Sequence, residues 1–304
     1  THQRGRLSAT NMSGIELGIV LLSALLHAVW SVAIKGSRDP LAFNILQAGI
    51  GAPIGIALLF MMDLSGVPRA LWLILGAAAI AHTLYMYWMS RAYQEADISL
   101  VYPIARSTPA FLPFLAVPLF HETISMEGMA GIGVVVLGMW MVQTAGKVRW
   151  HSFVERGTVY AYLTLAATVA YGLTDKTAMM QLQAETWPSV VPRAIVYFIL
   201  MSTAHWILFI PLAVSRTPRD TLAKAVRTEL LRACGALLIS FASYGLILQA
   251  LTTAPVSYVV AVRQSSVLFV LVISIFWLGE RPGWIRFGGA IATVVGVALI
   301  GLAA

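Results

Sequence analysis

Apolar residues in this chain form continuous runs that are separated by short polar connections. A helix needs about 20 mostly apolar residues to cross the hydrocarbon core of a bilayer. Strands of a membrane barrel would instead alternate over about ten residues, and these runs do not alternate. The sequence therefore predicts ten membrane-spanning helices, near residues 15–35, 41–62, 70–92, 98–119, 127–144, 157–179, 188–213, 230–251, 255–278 and 283–302. The longest predicted connection runs from Ser215 to Glu229.

The composition excludes several soluble classes of protein. Apolar residues make up 59% of the chain and charged residues only 11%, whereas soluble domains carry roughly 25% charged residues. A soluble fold of this size could not cover so much apolar surface. This excludes a soluble enzyme, a disordered tail protein and a nucleic-acid binder. The single cysteine, Cys234, predicts no disulfide and no metal or redox motif, and no cofactor is expected.

The basic residues indicate an orientation in the membrane. If the spans alternate in direction, most Lys and Arg lie on the side that holds Arg38 and the connection from Ser215 to Glu229. The positive-inside rule places that side in the cytoplasm. We therefore expect a multi-pass protein of the cell inner membrane, with both termini in the periplasm. The net charge of +7 is then mainly a topology signal.

The second half of the chain repeats the first. An offset of 158 residues places Glu280 on Glu122 and Ser257 on Ser99. Each half holds five predicted spans, and an odd number of spans forces the halves into opposite orientations across the membrane. The predicted fold class is therefore an all-α membrane protein with ten transmembrane helices in two inverted five-helix repeats.

The predicted repeats cover residues 1–146, which include an N-terminal tail, and residues 147–304. Inverted repeats are typical of secondary transporters, in which the substrate site lies near the midplane between the repeats. A duplication that serves only a structural purpose is the alternative.

Several stretches resemble a known family. They are Val101 to Arg106 (VYPIAR), Ala261 to Phe269 (AVRQSSVLF), Leu278 to Arg281 (LGER), and the first-span stretch from Trp30 to Lys35. Together they resemble the EamA-type branch of the drug/metabolite transporter (DMT) superfamily over nearly the whole chain. The resemblance implies ten spans in two halves and transport of small metabolites, including export of aromatic amino acids.

Polar residues inside the spans are the candidates for a substrate site. Charges at membrane depth are costly and normally face a cavity or a partner. Arg106 shares a helical face with Ser99 and Tyr102, and the equivalent face of the ninth span carries Ser257 and Gln264. A permanently charged guanidinium suits a carboxylate, phosphate or phosphonate. The alternative is that Arg106 caps carbonyls freed by the prolines of its own span.

Other residues join these candidates by their place in the spans. Arg263 adjoins Gln264, and Lys35 and Lys176 lie toward span ends, where they could instead snorkel to the interface. The aromatic residues could enclose a substrate or simply pack the core. The predicted substrate-binding residues are Arg106, Tyr102, Ser99, Gln264, Arg263, Ser257, Trp30, Lys35, Tyr171, Lys176, Tyr85 and Tyr244.

Candidates for ion coupling are fewer. Asp175 is the one acid that lies well inside an apolar run, so it suits a proton-linked switch, or else a simple pair with a cation. His27 and His82 are further candidates because histidine titrates near neutral pH.

Glycines recur seven residues apart on two spans, at Gly131 and Gly138 and again at Gly289 and Gly296. Small residues on one face permit close contact between helices. The fifth and tenth spans are therefore expected to be scaffold helices or to join the subunits of a homodimer.

The excess of cations over acids inside the spans favours an anionic or zwitterionic solute, such as an amino acid-like or phosphonate-like compound. The sequence thus predicts a secondary active transporter that exports a small metabolite by alternating access, with the lipid bilayer and a small-molecule substrate as partners. One alternative is a lipid-linked sugar flippase. An intramembrane enzyme is the other, but the sequence contains no motif for a nucleophile or a metal.

Overall fold

The computed structural model describes residues 12–95, 98–145, 156–184, 191–278 and 283–303. Within these ranges the chain forms twelve helices. They are α1 (Gly14–Lys35), α2 (Pro40–Phe60), α3 (Arg69–Glu95), α4 (Ile98–Arg106), α5 (Thr108–Phe120), α6 (Met126–Thr144), α7 (Arg156–Ala184), α8 (Arg193–Val214), α9 (Arg219–Leu251), α10 (Val256–Arg263), α11 (Ser266–Leu278) and α12 (Trp284–Leu302).

Local sequence signals set where several helices begin. Ser13 and Glu16 form a capping box at the start of α1, which satisfies two backbone N–H groups that have no partner inside the helix. Asp39 caps α2, whose first residue, Pro40, has no N–H to satisfy. Ser125 caps α6 through a hydrogen bond of 3.0 Å. These caps place the helix starts at the polar connections.

Eight helical segments of the described chain are long and apolar enough to cross a membrane. Seven are single helices, and the eighth runs from Val256 to Ile273 through α10 and into α11. The chain is therefore a multi-pass membrane protein.

Two predicted spans are broken near their middles. The span predicted at 98–119 divides into α4 and α5 around Ser107, and the span at 255–278 divides into α10 and α11 around Gln264 and Ser265. The backbone N–H of each of these three residues bonds to the carbonyl three residues earlier, which tightens the turn. In the first break, Pro109 also lacks an N–H and its ring crowds the preceding turn.

The connection predicted between Ser215 and Glu229 is wrong. Helix α9 begins at Arg219 and continues for 33 residues, a length of about 50 Å at 1.5 Å per residue. This exceeds the hydrocarbon thickness of about 30 Å, so one end of the helix extends beyond the apolar core. The many charged residues at this end give it the composition of a loop. Ala225 and Glu229 are nevertheless buried on one face of the helix.

The two halves repeat in structure as well as in sequence. The bounds of α11 and α12 lie 158 residues after those of α5 and α6. Helices α6 and α12 pack face to face through their glycines. A Cβ built on Gly138 would lie 2.6 Å from the carbonyl oxygen of Gly289, and one on Gly296 would lie 2.8 Å from that of Gly131. The glycine faces predicted to be scaffold or subunit contacts thus meet each other inside one chain.

The order of these contacts shows that α6 and α12 run antiparallel, because Gly131 faces Gly296 and Gly138 faces Gly289. Helices α2 and α8 behave in the same way. Gly55 lies against Thr203, and the earlier Gly51 lies against the later Trp206. Equivalent helices of the two halves therefore cross each other in opposite directions.

Two further pairs, α1 with α9 and α3 with α7, also join the halves. For α1 and α9, Glu16 meets Thr253 while Gly36 meets Arg232. For α3 and α7, His82 meets Asp175 while Arg91 lies over Tyr160, so both pairs are antiparallel. The hydroxyl of Ser23 donates to the carbonyl of Ser243 at 2.8 Å, and the hydroxyl of Ser243 donates back to the carbonyl of Ser23 at 2.9 Å. These four helices, together with α4, α8, α10 and the start of α5, contribute the walls of the space between the halves.

Candidate functional site

Two adjacent cavities lie between the halves. The larger has a volume of about 90 Å³ and the smaller about 30 Å³. They share four wall residues: His27, Tyr85, Tyr171 and Arg263. We call the two cavities together the chamber. Its walls come from both repeats.

The two cavities differ in chemistry. Polar side chains dominate the small cavity, where Arg106, Thr108, Thr168 and Gln264 join the shared residues. The large cavity is richer in aromatic and apolar side chains, including Trp30, Phe198, Trp206, Phe241 and Tyr244, although three serines and two further histidines also line it. The chamber therefore offers a charged end and an aromatic end.

His27 lies between two guanidinium groups. Arg106 ends α4 and Arg263 ends α10, so the two broken helices each deliver a cation to the chamber. A guanidinium nitrogen of Arg106 contacts Nε2 of His27, and one of Arg263 lies 3.5 Å from Nδ1. A neutral imidazole has one acceptor nitrogen and an arginine only donates. His27 can therefore accept a hydrogen bond from only one of the two guanidinium groups.

Arg263 has no acidic partner within the described part of the chain. Its guanidinium carbon lies 5.2 Å from the centre of the Tyr244 ring, and its Nε is buried and has no hydrogen bond to any described residue. The ion pairs found among the described residues involve other side chains. A cation at membrane depth is costly unless it is paired. An anion in the chamber would supply that pairing.

Asp175 lies behind the chamber wall and is fully buried. Tyr197 donates its hydroxyl to one carboxylate oxygen at 2.6 Å. The hydroxyl of Tyr244 donates to the other oxygen, and Nε2 of His82 lies 3.1 Å from it. These four side chains come from α7, α8, α9 and α3. Tyr244 thus contacts both Asp175 and the cation of Arg263.

His82 connects this carboxylate to the aromatic part of the chamber. Its ring stacks on Tyr171, with ring centres 4.3 Å apart and planes inclined by 17°. His205 lies 6.1 Å from His82, ring to ring, and its Nδ1 is 3.1 Å from the hydroxyl of Thr83. A continuous line of titratable side chains therefore runs from Asp175 to the large cavity.

Two predicted site residues face away from the chamber. The hydroxyl of Ser257 donates to the carboxylate of Glu122 at 2.6 Å, and the same carboxylate caps α10 by accepting from the backbone N–H of Val256 at 2.6 Å. Lys176 donates from Nζ to the carbonyls of Leu251 and Ala254, at 3.0 and 2.8 Å. Both side chains hold the turn between α9 and α10.

Of the four remaining predicted residues, one lines the chamber and three have side chains outside the described part of the chain. Trp30 lines the large cavity, and its indole N–H donates to Gln47 at 2.9 Å. The side chains of Lys35, Ser99 and Tyr102 lie outside the part of the chain that the structure describes.

Sequence reasoning overlooked several wall residues and one residue behind the wall. Thr108 and Thr168 line the small cavity, Phe198 and Phe241 line the large one, and Tyr197 holds Asp175. Thr108 had a usable signal, because it follows Arg106 in a proline-rich span. The other four resemble ordinary core residues in the sequence.

The fold and this chamber define a class of protein: a membrane transporter built from two like halves with a polar site between them. The sequence model of the EamA-like transporter family matches residues 14–144 and again residues 158–302. The chain therefore belongs to the EamA-like transporter family, within the DMT superfamily. Members of this family are transporters rather than enzymes.

A solved crystal structure of a protein has the same fold, with a TM-score of 0.69 and 17% sequence identity. The match covers 97% of this chain and 100% of that chain. At this identity the likeness concerns the fold alone. No curated protein sequence matches the chain.

Proposed function

We propose that this protein is a secondary active transporter that exports a small anionic or zwitterionic metabolite, amino acid-like or phosphonate-like, from the cell. The observation that carries the proposal is the position of Arg263 on the chamber wall, beside His27 and Arg106 and without a carboxylate partner among the described residues. A bound anion would accept hydrogen bonds from the guanidinium of Arg263. The aromatic end of the chamber would enclose the rest of the solute.

The proposed topology has ten spans in two inverted repeats, residues 1–146 and 147–304. This count treats α4 with α5 and α10 with α11 as one broken span each, and includes α7. The antiparallel crossing of equivalent helices supports it. In an alternating-access cycle the two halves would rock about the chamber, with the basic side in the cytoplasm and the termini in the periplasm.

Asp175 is the proposed coupling group, with His27 and His82 as accessory sites. Its contact with Tyr244 supports this role, because Tyr244 also lies against Arg263 and so lies between the carboxylate and the proposed anion site. A proton gradient is a sufficient driving force, since one charge moved across 100 mV is worth about 2.3 kcal/mol.

Ligand-dependent melting of the purified protein tests the anion site. The probes are benzoate, phenylphosphonate and phenylalanine, with benzyl alcohol as the uncharged analogue. At a concentration of 100 times Kd, a ligand stabilises the folded state by about 2.7 kcal/mol. We expect at least one charged probe to raise the melting temperature of the wild type.

Arg263→Gln should abolish this shift, while Arg227→Gln should keep it. Arg227 is a matched control because it is an exposed arginine of α9 away from the chamber. Equal stabilisation of Arg263→Gln and the wild type, or equal stabilisation by benzyl alcohol, would contradict the proposed anion site.

A further inference from the structure

The smaller cavity has the chemistry of a subsite for one kind of anionic group. We propose that it binds a tetrahedral, doubly charged oxyanion, the phosphonate or phosphate monoester group of an organic solute, and that Thr108 at the start of α5 is one of its donors. This inference rests on the proposed function and specifies the chemical class of the substrate.

Thr108 is a polar side chain that the fold leaves unsatisfied. It is 1% exposed, lines the small cavity, and its hydroxyl has no hydrogen-bond partner among the described residues. A buried hydroxyl without a partner costs about 1–3 kcal/mol. Such a group is retained at little cost when a ligand completes its hydrogen bonding.

The position of Thr108 adds a helix N-terminus to the same cavity. Thr108 is the first residue of α5, a helix of 13 residues. The preceding Ser107 does not cap it, because its hydroxyl donates to the carbonyl of Pro103 at 2.7 Å. The N-terminus of a helix attracts anions through its partial positive charge. At the start of α5 this charge is the relevant contribution, because Pro109 has no N–H and that of Ala110 donates to the carbonyl of Ser107 at 2.9 Å.

Gln264 is a second unsatisfied side chain on this wall. It is 4% exposed, its Oε1 has no partner within the described chain, and its Nε2 makes only a long contact of 3.4 Å with the carbonyl of Val260. The amide can therefore turn its NH₂ toward a ligand. Together with Arg263, Thr108 and Gln264 surround a volume of about 30 Å³.

The number of donors favours a tetrahedral dianion over a carboxylate. A carboxylate has two oxygens and can be paired fully by one guanidinium in a bidentate fork. The guanidinium of Arg263, the hydroxyl of Thr108, the amide of Gln264 and the positive end of α5 exceed that demand, and Arg106 adds a second positive charge. A phosphate monoester presents three terminal oxygens and carries a charge of about −1.5 to −2 at pH 7, which matches the two cations on the wall.

The aromatic end of the chamber indicates the chemistry of the rest of the solute, beyond its anionic group. The two cavities share wall residues, so they lie next to each other. The rings of Phe198 and Phe241, which line the large cavity, lie 4.2 Å apart. An organic phosphonate or phosphate with an aryl or apolar body would fill both cavities.

Three anions on the same ring separate the contributions of shape and charge. Benzoate is planar with one charge, benzenesulfonate is tetrahedral with one charge, and phenylphosphonate is tetrahedral with up to two. Kd is measured by calorimetry on the purified full-length chain. We expect phenylphosphonate to bind about tenfold more tightly than benzoate, the effect of about 1.4 kcal/mol, with benzenesulfonate between them.

Substitutions at Thr108 test the proposed donor. Thr108→Val should weaken phenylphosphonate binding by about tenfold and affect benzoate less, whereas Thr108→Ser should retain tight binding. Ser266→Ala is the matched control. Ser266 occupies the equivalent position 158 residues later and also has an unpartnered hydroxyl within the described residues, but it is absent from the walls of both cavities.

The outcomes distinguish this inference from the proposed function. Benzoate binding that equals or exceeds phenylphosphonate binding and depends on Arg263 would overturn the inference and leave the proposed function standing. Failure of all three anions to bind would overturn the inference, and failure of phenylalanine as well would overturn the proposed function. If Thr108→Val does not fold, the order of the three affinities in the wild type still decides the substrate class.

Discussion

The glycine contact between α6 and α12 yields a sharp prediction for Gly138→Ala. The added methyl group would lie 2.6 Å from the carbonyl oxygen of Gly289 and 2.6 Å from the backbone nitrogen of Thr293. Because both neighbours are backbone atoms, no side-chain rotation can relieve the contact. The two helices must separate by most of an ångström.

The energetic cost follows from that separation. A gap of 0.5–1 Å forfeits roughly a quarter to a half of the dispersion attraction between the atoms that line it. Overpacking of a close contact typically costs about 1–3 kcal/mol. Gly133→Ala is the matched control on the same helix, because nothing lies within 4 Å of a Cβ at that position. Its expected effect is neutral, or stabilising by up to about 1 kcal/mol.

Equilibrium unfolding in detergent micelles, followed by circular dichroism or tryptophan fluorescence, measures both variants. Gly138→Ala should unfold at lower denaturant than the wild type, and Gly133→Ala should unfold at the same or slightly higher denaturant. If the two variants unfold at the same denaturant concentration, the glycine faces of α6 and α12 do not pack closely against each other. The antiparallel crossing of these helices would then lose its support.

Two further predictions concern carboxylates. Glu122→Gln should lower the free energy of unfolding by about 1–2 kcal/mol, because the amide replaces a charged cap on α10. The exposed substitution Glu127→Gln is the control. Equal melting temperatures of the two variants would contradict the capping role of Glu122. Asp175→Asn should stop accumulation driven by a proton gradient in proteoliposomes but preserve exchange of solute for solute. Undiminished gradient-driven accumulation would refute the coupling role of Asp175.

The sequence predicted the repeat well because duplication leaves identities at a fixed spacing. The offset that places Glu280 on Glu122 also relates α5 to α11 and α6 to α12. It did not reveal the breaks at Ser107 and Ser265, because hydropathy averaged over a span is insensitive to the local hydrogen-bond pattern. The first break had a signal in the nearby Pro109, and the second had one in the four consecutive polar residues from Arg263 to Ser266.

The site was predictable in its residue types but not in its partners. Helical periodicity places Ser257 and Gln264 on one face. In the structure, however, the hydroxyl of Ser257 donates to Glu122, and only Gln264 lines the chamber. Periodicity reports the face of a helix and does not report what packs against it. For the same reason the contact between Tyr197 and Asp175, which lie on different helices, could not be inferred from spacing.

Solute exchange across proteoliposome membranes tests the central proposal, that an anion occupies the chamber through Arg263 during transport. Vesicles are loaded with whichever of phenylphosphonate, benzoate or phenylalanine most stabilises the wild-type protein, and entry of the labelled compound is followed. We predict exchange by the wild type and by Arg227→Gln, and none above protein-free vesicles by Arg263→Gln. Exchange by Arg263→Gln at the wild-type rate would contradict the account.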